Sequence, residues 1–328
     1  MKRILIIRFS SIGDIVLTTP VIRAIKQQID GAEVHYLTKS KFQSILKANP
    51  YIDKIHTIEK NVNEFAGELK RQEFDFIVDL HKNLRTLHAK LLLRRPFQSF
   101  PKINFQKWLM VNLKINRLPD MHIVDRYFKA AEPLGVVNDG QGLDYFIPGD
   151  EEVSYDDLPD MLSAEFVAIG IGGNHNTKLY PVEKVASLCR RIKQPVILMG
   201  GPQDFERAEA IRKGMDNIVF NGCDDFTINQ SASVIKKASI VIANDTGIMH
   251  IAAALNKPLV SLWGNTIPEF GMYPYYPEES KARYRILEVK DLSCRPCSKI
   301  GYEKCPRGHF RCMHDITEDQ VLSAMKGL

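Results

Sequence analysis

At 328 residues, with 45% hydrophobic and 25% charged residues, the chain has an ordinary globular composition, and its length suits two domains of about 150 residues each. Disordered, collagen-like and fibrous classes are excluded, and with no apolar run near the ~20 residues that span a bilayer, no membrane-spanning helix is expected. The formal net charge of +5 hides an uneven distribution: Leu80–Pro119 holds no Asp or Glu but nine Lys or Arg, so the remainder of the chain is net acidic.

The chain opens MKRILIIRFSS. Its basic start and short apolar run superficially resemble a signal peptide, but Arg8 interrupts the run after Ile4–Ile7, and a buried first strand over Arg3–Arg8 explains it better. Ser10-Ser11-Ile12-Gly13-Asp14 then forms a strand-to-helix turn of small residues that let a ligand approach the backbone. G-x-G-x-x-G is absent there, so no dinucleotide fingerprint is read. Asp14 falls in the first turn of the helix, where capping is its plain structural role.

Further strands are expected at Val34–Thr38, Lys54–Ile58 and Phe76–Leu80, with helices near Pro20–Gln28, Lys41–Ala48 and Glu64–Gln72. This alternation predicts βαβ units and a parallel sheet. The acid-free block follows, with Lys82, Arg85, Lys90, Arg94, Arg95, Lys102, Lys107, Lys114 and Arg117 among Leu91, Leu92, Leu93, Phe97, Phe100, Phe105, Trp108 and Leu109. Bases alternating with large apolar residues suit an anionic lipid surface, an anionic substrate or a nucleic acid, against the plain reading of a solvated helix face.

Gly135–Asp160, rich in Gly, Pro, Asp and Glu, reads as the linker between a first domain of 1–150 and a second of 151–328. The second alternation has strands at Phe166–Ile171, Val196–Met199, Ile218–Phe220, Ile240–Ala243 and Leu259–Leu262. Its helices fall near Val182–Ile192, Phe205–Lys213, Asn229–Lys236 and Ile248–Leu255. Two such α/β halves predict two Rossmann-like parallel-sheet domains facing a central cleft, with ligands at the carboxyl ends of the strands. Gly170–Lys178 is a plausible phosphate cradle with Lys178 as its point charge, or else a surface loop. Asn244-Asp245-Thr246-Gly247-Ile248-Met249-His250 opens a helix whose free N–H groups favour a diphosphate. Taken singly, Asp245 is an N-cap and His250 a packed helix residue.

Near the end, Cys294, Cys297, Cys305 and Cys312, with His309 and His314 close by, offer enough thiolates for a structural zinc site, against plain reduced thiols. A final helix over Glu318–Met325, capped by Thr317, is available to brace the first domain.

Two segments, RILIIRFSSIGDIVLTTPVIRAI and NDTGIMHIAAALNKPLVSLWGNT, resemble the hallmark segments of the ADP-heptose:lipopolysaccharide heptosyltransferases, glycosyltransferase family 9; GGPQDFERAEAI between them is similar to that family's second-domain strand-turn-helix. The resemblance implies a GT-B fold, acceptor on the first domain, donor on the second, and inverting transfer without a catalytic metal or other cofactor. It implies Asp14 as catalytic base and Lys178, Asp245, Thr246, Gly247 and His250 as donor-binding residues. Ser11, Gly13, Lys82, Arg85, Arg94 and Arg95 are then the candidates for the acceptor and membrane surface. Some members place a nucleoside-contacting acid where this chain reads Thr227-Ile228-Asn229-Gln230-Ser231. The implied partners are a nucleotide-sugar donor, ADP-heptose, and a lipid A–core oligosaccharide acceptor, with no nucleic acid. The implied location is cytoplasmic, peripheral on the inner membrane. Two other readings remain open on the residues alone: a nucleotide-sugar enzyme such as an epimerase, and a basic Cys-loop protein that binds nucleic acid and is retained on it salt-sensitively.

Overall fold

The run Ile4–Ile7 is completely buried, as a strand covered on both faces must be, and a parallel sheet grows outward from it. The computed structural model describes residues 2–59, 64 and 66–328 and divides them into two units. The first comprises Met1–Ile103 and Met121–Pro148; the second comprises Asn104–Asp120 and Gly149–Leu328.

In the first unit the chain runs through β1 (Lys2–Ile7), α1 (Ile12–Val16), α2 (Thr19–Gln28), β2 (Ala32–Lys39), β3 (Lys54–Ile58), α3 (Ala66–Arg71), β4 (Phe76–Asp79), α4 (Leu84–Leu93) and β5 (Phe97–Ser99). α5 (Asn104–Leu113) follows and belongs to the second unit, and α6 (Ile123–Ala131) returns to the first. The sheet order is β3-β2-β1-β4-β5, parallel throughout, with Ile4 opposite both Val34 and Phe76. The order reverses between β1 and β4, and a crevice opens at their carboxyl ends at such a reversal. Leu5, Ile7, Leu37 and Ile77 pack with Leu69, Ala89 and Leu93 from the helices.

The expected helix over 41–48 is instead a 3₁₀ segment, Ser40–Leu46, and that over 64–72 is seen as Ala66–Arg71, Phe65 lying outside the described residues. The segment read as a linker is tied down. Arg23, 1% exposed, binds Asp139, Asp144 and the Gly142 carbonyl, fastening residues 139–144 to α2. Burial opposes the Arg23 charge, and the two carboxylates outweigh it.

The second unit continues with β6 (Val167–Gly170), α7 (Val182–Cys189), β7 (Val196–Met199), α8 (Phe205–Arg212), β8 (Val219–Asn221), α9 (Ile228–Lys237), β9 (Ile240–Asn244), α10 (Gly247–Ala254), β10 (Leu259–Trp263), β11 (Tyr284–Glu288), α11 (Arg311–His314) and α12 (Glu318–Lys326). Its parallel sheet has the order β11-β10-β9-β6-β7-β8, reversing between β6 and β9. The terminal helix α12 packs within its own unit: Val321 enters the core with Leu188 and Leu262, and Lys184 on α7 meets Glu318 at 3.2 Å. No helix among the described residues is long and apolar enough to cross a membrane.

Candidate active site

Both reversal points carry the segments that the sequence singled out. In the first unit, Ser11–Asp14 follows β1 and His81–Arg85 follows β4. Asp14 is the third residue of the short helix α1. Its Oδ2 accepts from the Ser11 backbone N–H at 3.1 Å and the Ser11 hydroxyl at 2.8 Å, so the capping role is real. Its Oδ1 sits 2.7 Å from Arg8 Nη2.

Arg8, 8% exposed, also donates to the carbonyls of Ser10 (2.7 Å) and Leu80 (2.6 Å) and to the Tyr127 hydroxyl (3.0 Å). Burial opposes the guanidinium charge, and Asp14 beside it outweighs that penalty and raises the Arg8 pKa. The carboxylate is thus aimed by a fixed cation, which sequence reasoning missed because one arginine ending an apolar run carries no pattern.

Next to this pair stands His81, its ring edge-on to Phe9 at 5.3 Å. Burial, with Arg8 and Lys102 nearby, pushes its imidazole down to about 4, so it is neutral at pH 7. Gly13 is buried inside α1, and Lys82, Arg85 and Arg94 are exposed. Lys90 leaves the basic surface: its ammonium is buried on Asp79 (2.7 Å) and Ser99 (2.8 Å). Lys114 lies in the second unit, donating to the Cys294 and Pro296 carbonyls at 3.2 and 2.6 Å.

In the second unit, the loops after β6 and β9 meet. Lys178 Nζ lies 2.6 Å from Asp245 Oδ2, which also accepts from the Thr266 hydroxyl at 2.8 Å. Asn244 locks the two strands, donating to the Gly170 carbonyl (3.0 Å) and accepting from the Tyr180 N–H (3.0 Å). A Cβ on Gly173 would come within 3.0 Å of Thr246 and 2.9 Å of Leu179, so glycine is needed for this approach. Thr246 is the N-cap of α10, leaving the Gly247 and Ile248 amides at the helix mouth. His250, 2% exposed, is buried one turn further in.

Two arginines brace neighbouring loops, one the loop after β6 and the other the loop after β10. Arg207 on α8 donates to the Ile171 carbonyl (3.1 Å) and Asn176 Oδ1 (2.9 Å), and buried Arg295 donates to the Gly264 (2.6 Å) and Thr266 (2.8 Å) carbonyls while pairing with Glu288 at 2.6 Å. Asn265 between those carbonyls is 1% exposed with neither amide atom hydrogen-bonded among the described residues. Near the start of α9, the Thr227 hydroxyl and the Asn229 amide are both engaged by Glu151, at 2.6 and 2.8 Å.

The four C-terminal cysteines, read either as a structural zinc site or as reduced thiols, form no disulfide. Among the described residues no three His, Cys, Asp or Glu side chains are grouped to hold a metal ion. Cys294 Sγ lies 3.7 Å from His309 Nε2, while burial pushes the Cys312 thiol up to about 12. The segment between Cys294 and Cys297 also supplies Arg295, the brace just described.

The profile of glycosyltransferase family 9 (heptosyltransferase) matches residues 62–303. The chain is 28% identical to lipopolysaccharide heptosyltransferase 1 of Campylobacter coli, over 99% of this chain and 98% of that protein. Its fold is similar to that of a family 9 glycosyl transferase from Veillonella parvula (TM-score 0.80, 24% identity, 99% and 96% of the two chains). It is also similar to that of E. coli ADP-heptose LPS heptosyltransferase II (TM-score 0.75, 19% identity, 100% and 98%).

Proposed function

The chain belongs to glycosyltransferase family 9, the heptosyltransferases, with the GT-B pair of parallel α/β domains, and from that premise we propose that it transfers heptose from ADP-heptose to the lipopolysaccharide core, with inversion. The observation that carries this reading is that each motif falls at the reversal point of its own sheet: Asp14 beside β1 and β4, Lys178 and Asp245 beside β6 and β9. The first domain takes the acceptor and the second the donor. The names of the relatives, which specify lipopolysaccharide and ADP-heptose, support the choice of both substrates.

In this reaction the acceptor hydroxyl attacks the anomeric carbon, its proton passes to Asp14, and the bond from that carbon to the diphosphate oxygen breaks to release ADP. Attack opposite the leaving group inverts the anomeric centre. Arg8 and Ser11 keep the carboxylate in one orientation, and Ser11 and Gly13 leave room for the acceptor. Charge growing on the departing diphosphate is met by Lys178 and by the amides of Gly247 and Ile248 at the positive end of α10, which provides without a divalent ion the stabilisation such an ion would bring. Asp245 fixes Lys178, and Thr246 and His250 shape the helix mouth.

The lipid-borne acceptor makes the protein a peripheral partner of the anionic cytoplasmic face of the inner membrane, and no nucleic acid is involved. The test is ADP release from ADP-heptose with and without a lipid A–core acceptor. Release that depends on the acceptor is expected. Release without it, or failure of ADP-heptose to raise the melting temperature, would overturn the reading.

A further inference from the structure

Helix α4 buries Thr86, Ala89, Lys90 and Leu93 against its own unit. Its opposite side carries Leu84, Leu87 and Leu91, which are 84%, 43% and 64% exposed. At about 100° per residue, these three leucines fall within about 60° of one another and form one apolar stripe. Leucines at this spacing ordinarily face a core, yet here the core side is already filled by other residues.

Arg85 in the first turn of the same helix, Arg94 at its C-cap and Arg95 after it border the stripe, and none has an ion-pair partner among the described residues. Beside the carboxyl end of the helix lies a depression of about 520 Å³, with Leu69 and Phe74 in its wall and Lys70, Arg94 and Arg95 around it. The segment that bears the stripe has no acidic residue from Leu80 to Pro119.

We infer that this face of the first unit docks on an anionic bilayer, with Leu84, Leu87 and Leu91 at the acyl boundary and Lys70, Arg85, Arg94 and Arg95 against lipid phosphates. An apolar stripe flanked by bases is the composition of a helix lying in a membrane interface. A second copy meeting the same face would set bases against bases, and a nucleic acid would use the arginines but leave the leucines in water. The inference rests on the proposed lipid-borne acceptor for its purpose, but its test requires no catalysis.

The full chain is sedimented with vesicles of phosphatidylcholine alone and of phosphatidylcholine mixed with phosphatidylglycerol, beside the variant Leu84→Gln/Leu87→Gln/Leu91→Gln. Wild type is expected to bind the anionic vesicles only, and more weakly as salt rises. The triple variant is expected to lose at least about tenfold in affinity, with an unchanged melting temperature and unchanged turnover on a deacylated, water-soluble acceptor. Equal binding by variant and wild type overturns the assignment of the face. So does a wild-type dimer in solution that the triple variant abolishes. Vesicle binding without turnover of ADP-heptose would overturn the proposed reaction and leave this surface standing.

Discussion

Arg8 Nη2 lies 2.7 Å from Asp14 Oδ1 at the exit of β1, and the other carboxylate oxygen is held by Ser11 at 2.8 Å. A carboxylate fixed at both oxygens keeps one orientation, which a base must do to meet a single hydroxyl. Asp14→Asn keeps the shape and removes the basicity. Turnover is expected to fall by about 10²–10⁴-fold while ADP-heptose still raises the melting temperature as in wild type. A wild-type rate in the variant would refute Asp14 as the base.

Arg8→Gln tests the aim separately from the chemistry. It removes the cation and leaves the carboxylate, so kcat should drop by about tenfold or more with little change in donor affinity. Arg8 is also buried on Leu80 and Tyr127, so some loss of stability should accompany it. The discriminating measurement is the pH dependence of kcat: without the neighbouring cation its acidic limb should move to higher pH.

In the second unit, the proposed reaction assigns Lys178 as the cation offered to the diphosphate. Lys178→Ala should raise the KM for ADP-heptose and lower kcat, together costing about 10–10³-fold in kcat/KM, because charge is lost where it develops at the leaving group. The acceptor KM should be unmoved, as steady-state kinetics with each substrate varied in turn will check. A change confined to the acceptor would place Lys178 elsewhere in the reaction.

Much of this was legible in the sequence, and what was not has a common cause. Strands buried on both faces read as unbroken apolar runs, which is why Ile4–Ile7 and Val196–Met199 announce β1 and β7. β11 is half-buried at all five positions and β5 has three residues, so neither carries such a run. The motif loops were recognisable because their glycines and polar residues are local in sequence. Arg207 and Arg295 were not, because each acts on carbonyls about 30 or more residues away. Arg295 sits between Cys294 and Cys297, whose spacing is legible in the sequence while the carbonyls the arginine holds are not.

Removing that arginine gives a stability prediction. Arg295 is 9% exposed, holds two carbonyls of the loop after β10 and pairs with Glu288. Arg295→Met leaves the Glu288 carboxylate buried without its partner, and a loss of about 3–5 kcal/mol is expected by urea unfolding. Glu288→Gln in the same background should recover part of it, since the stranded charge is then gone.

His35 and His56 give the chain a predictable response to acid. On the adjacent strands β2 and β3, His35 Nδ1 lies 2.8 Å from His56 Nε2; the outer nitrogens face Glu33 at 2.9 Å and Glu68 at 3.3 Å. Arg3 and Lys54 complete the charged surroundings. Burial pushes both imidazoles below the ordinary histidine value, His56 to about 4, against the opposing pull of Glu33 and Glu68. In the unfolded chain both titrate near 6.5. Between about pH 6.5 and pH 4 the unfolded state therefore binds more protons than the folded one, and stability that is fully present above pH 6.5 is lost as pH falls. A loss of about 1–3 kcal/mol between pH 7 and pH 4.5 is expected from urea unfolding at each pH. His56→Gln removes one titrating ring while its amide can still bond His35, so its stability should vary less over the same interval. An unchanged slope in that variant would show that other groups carry the acid response.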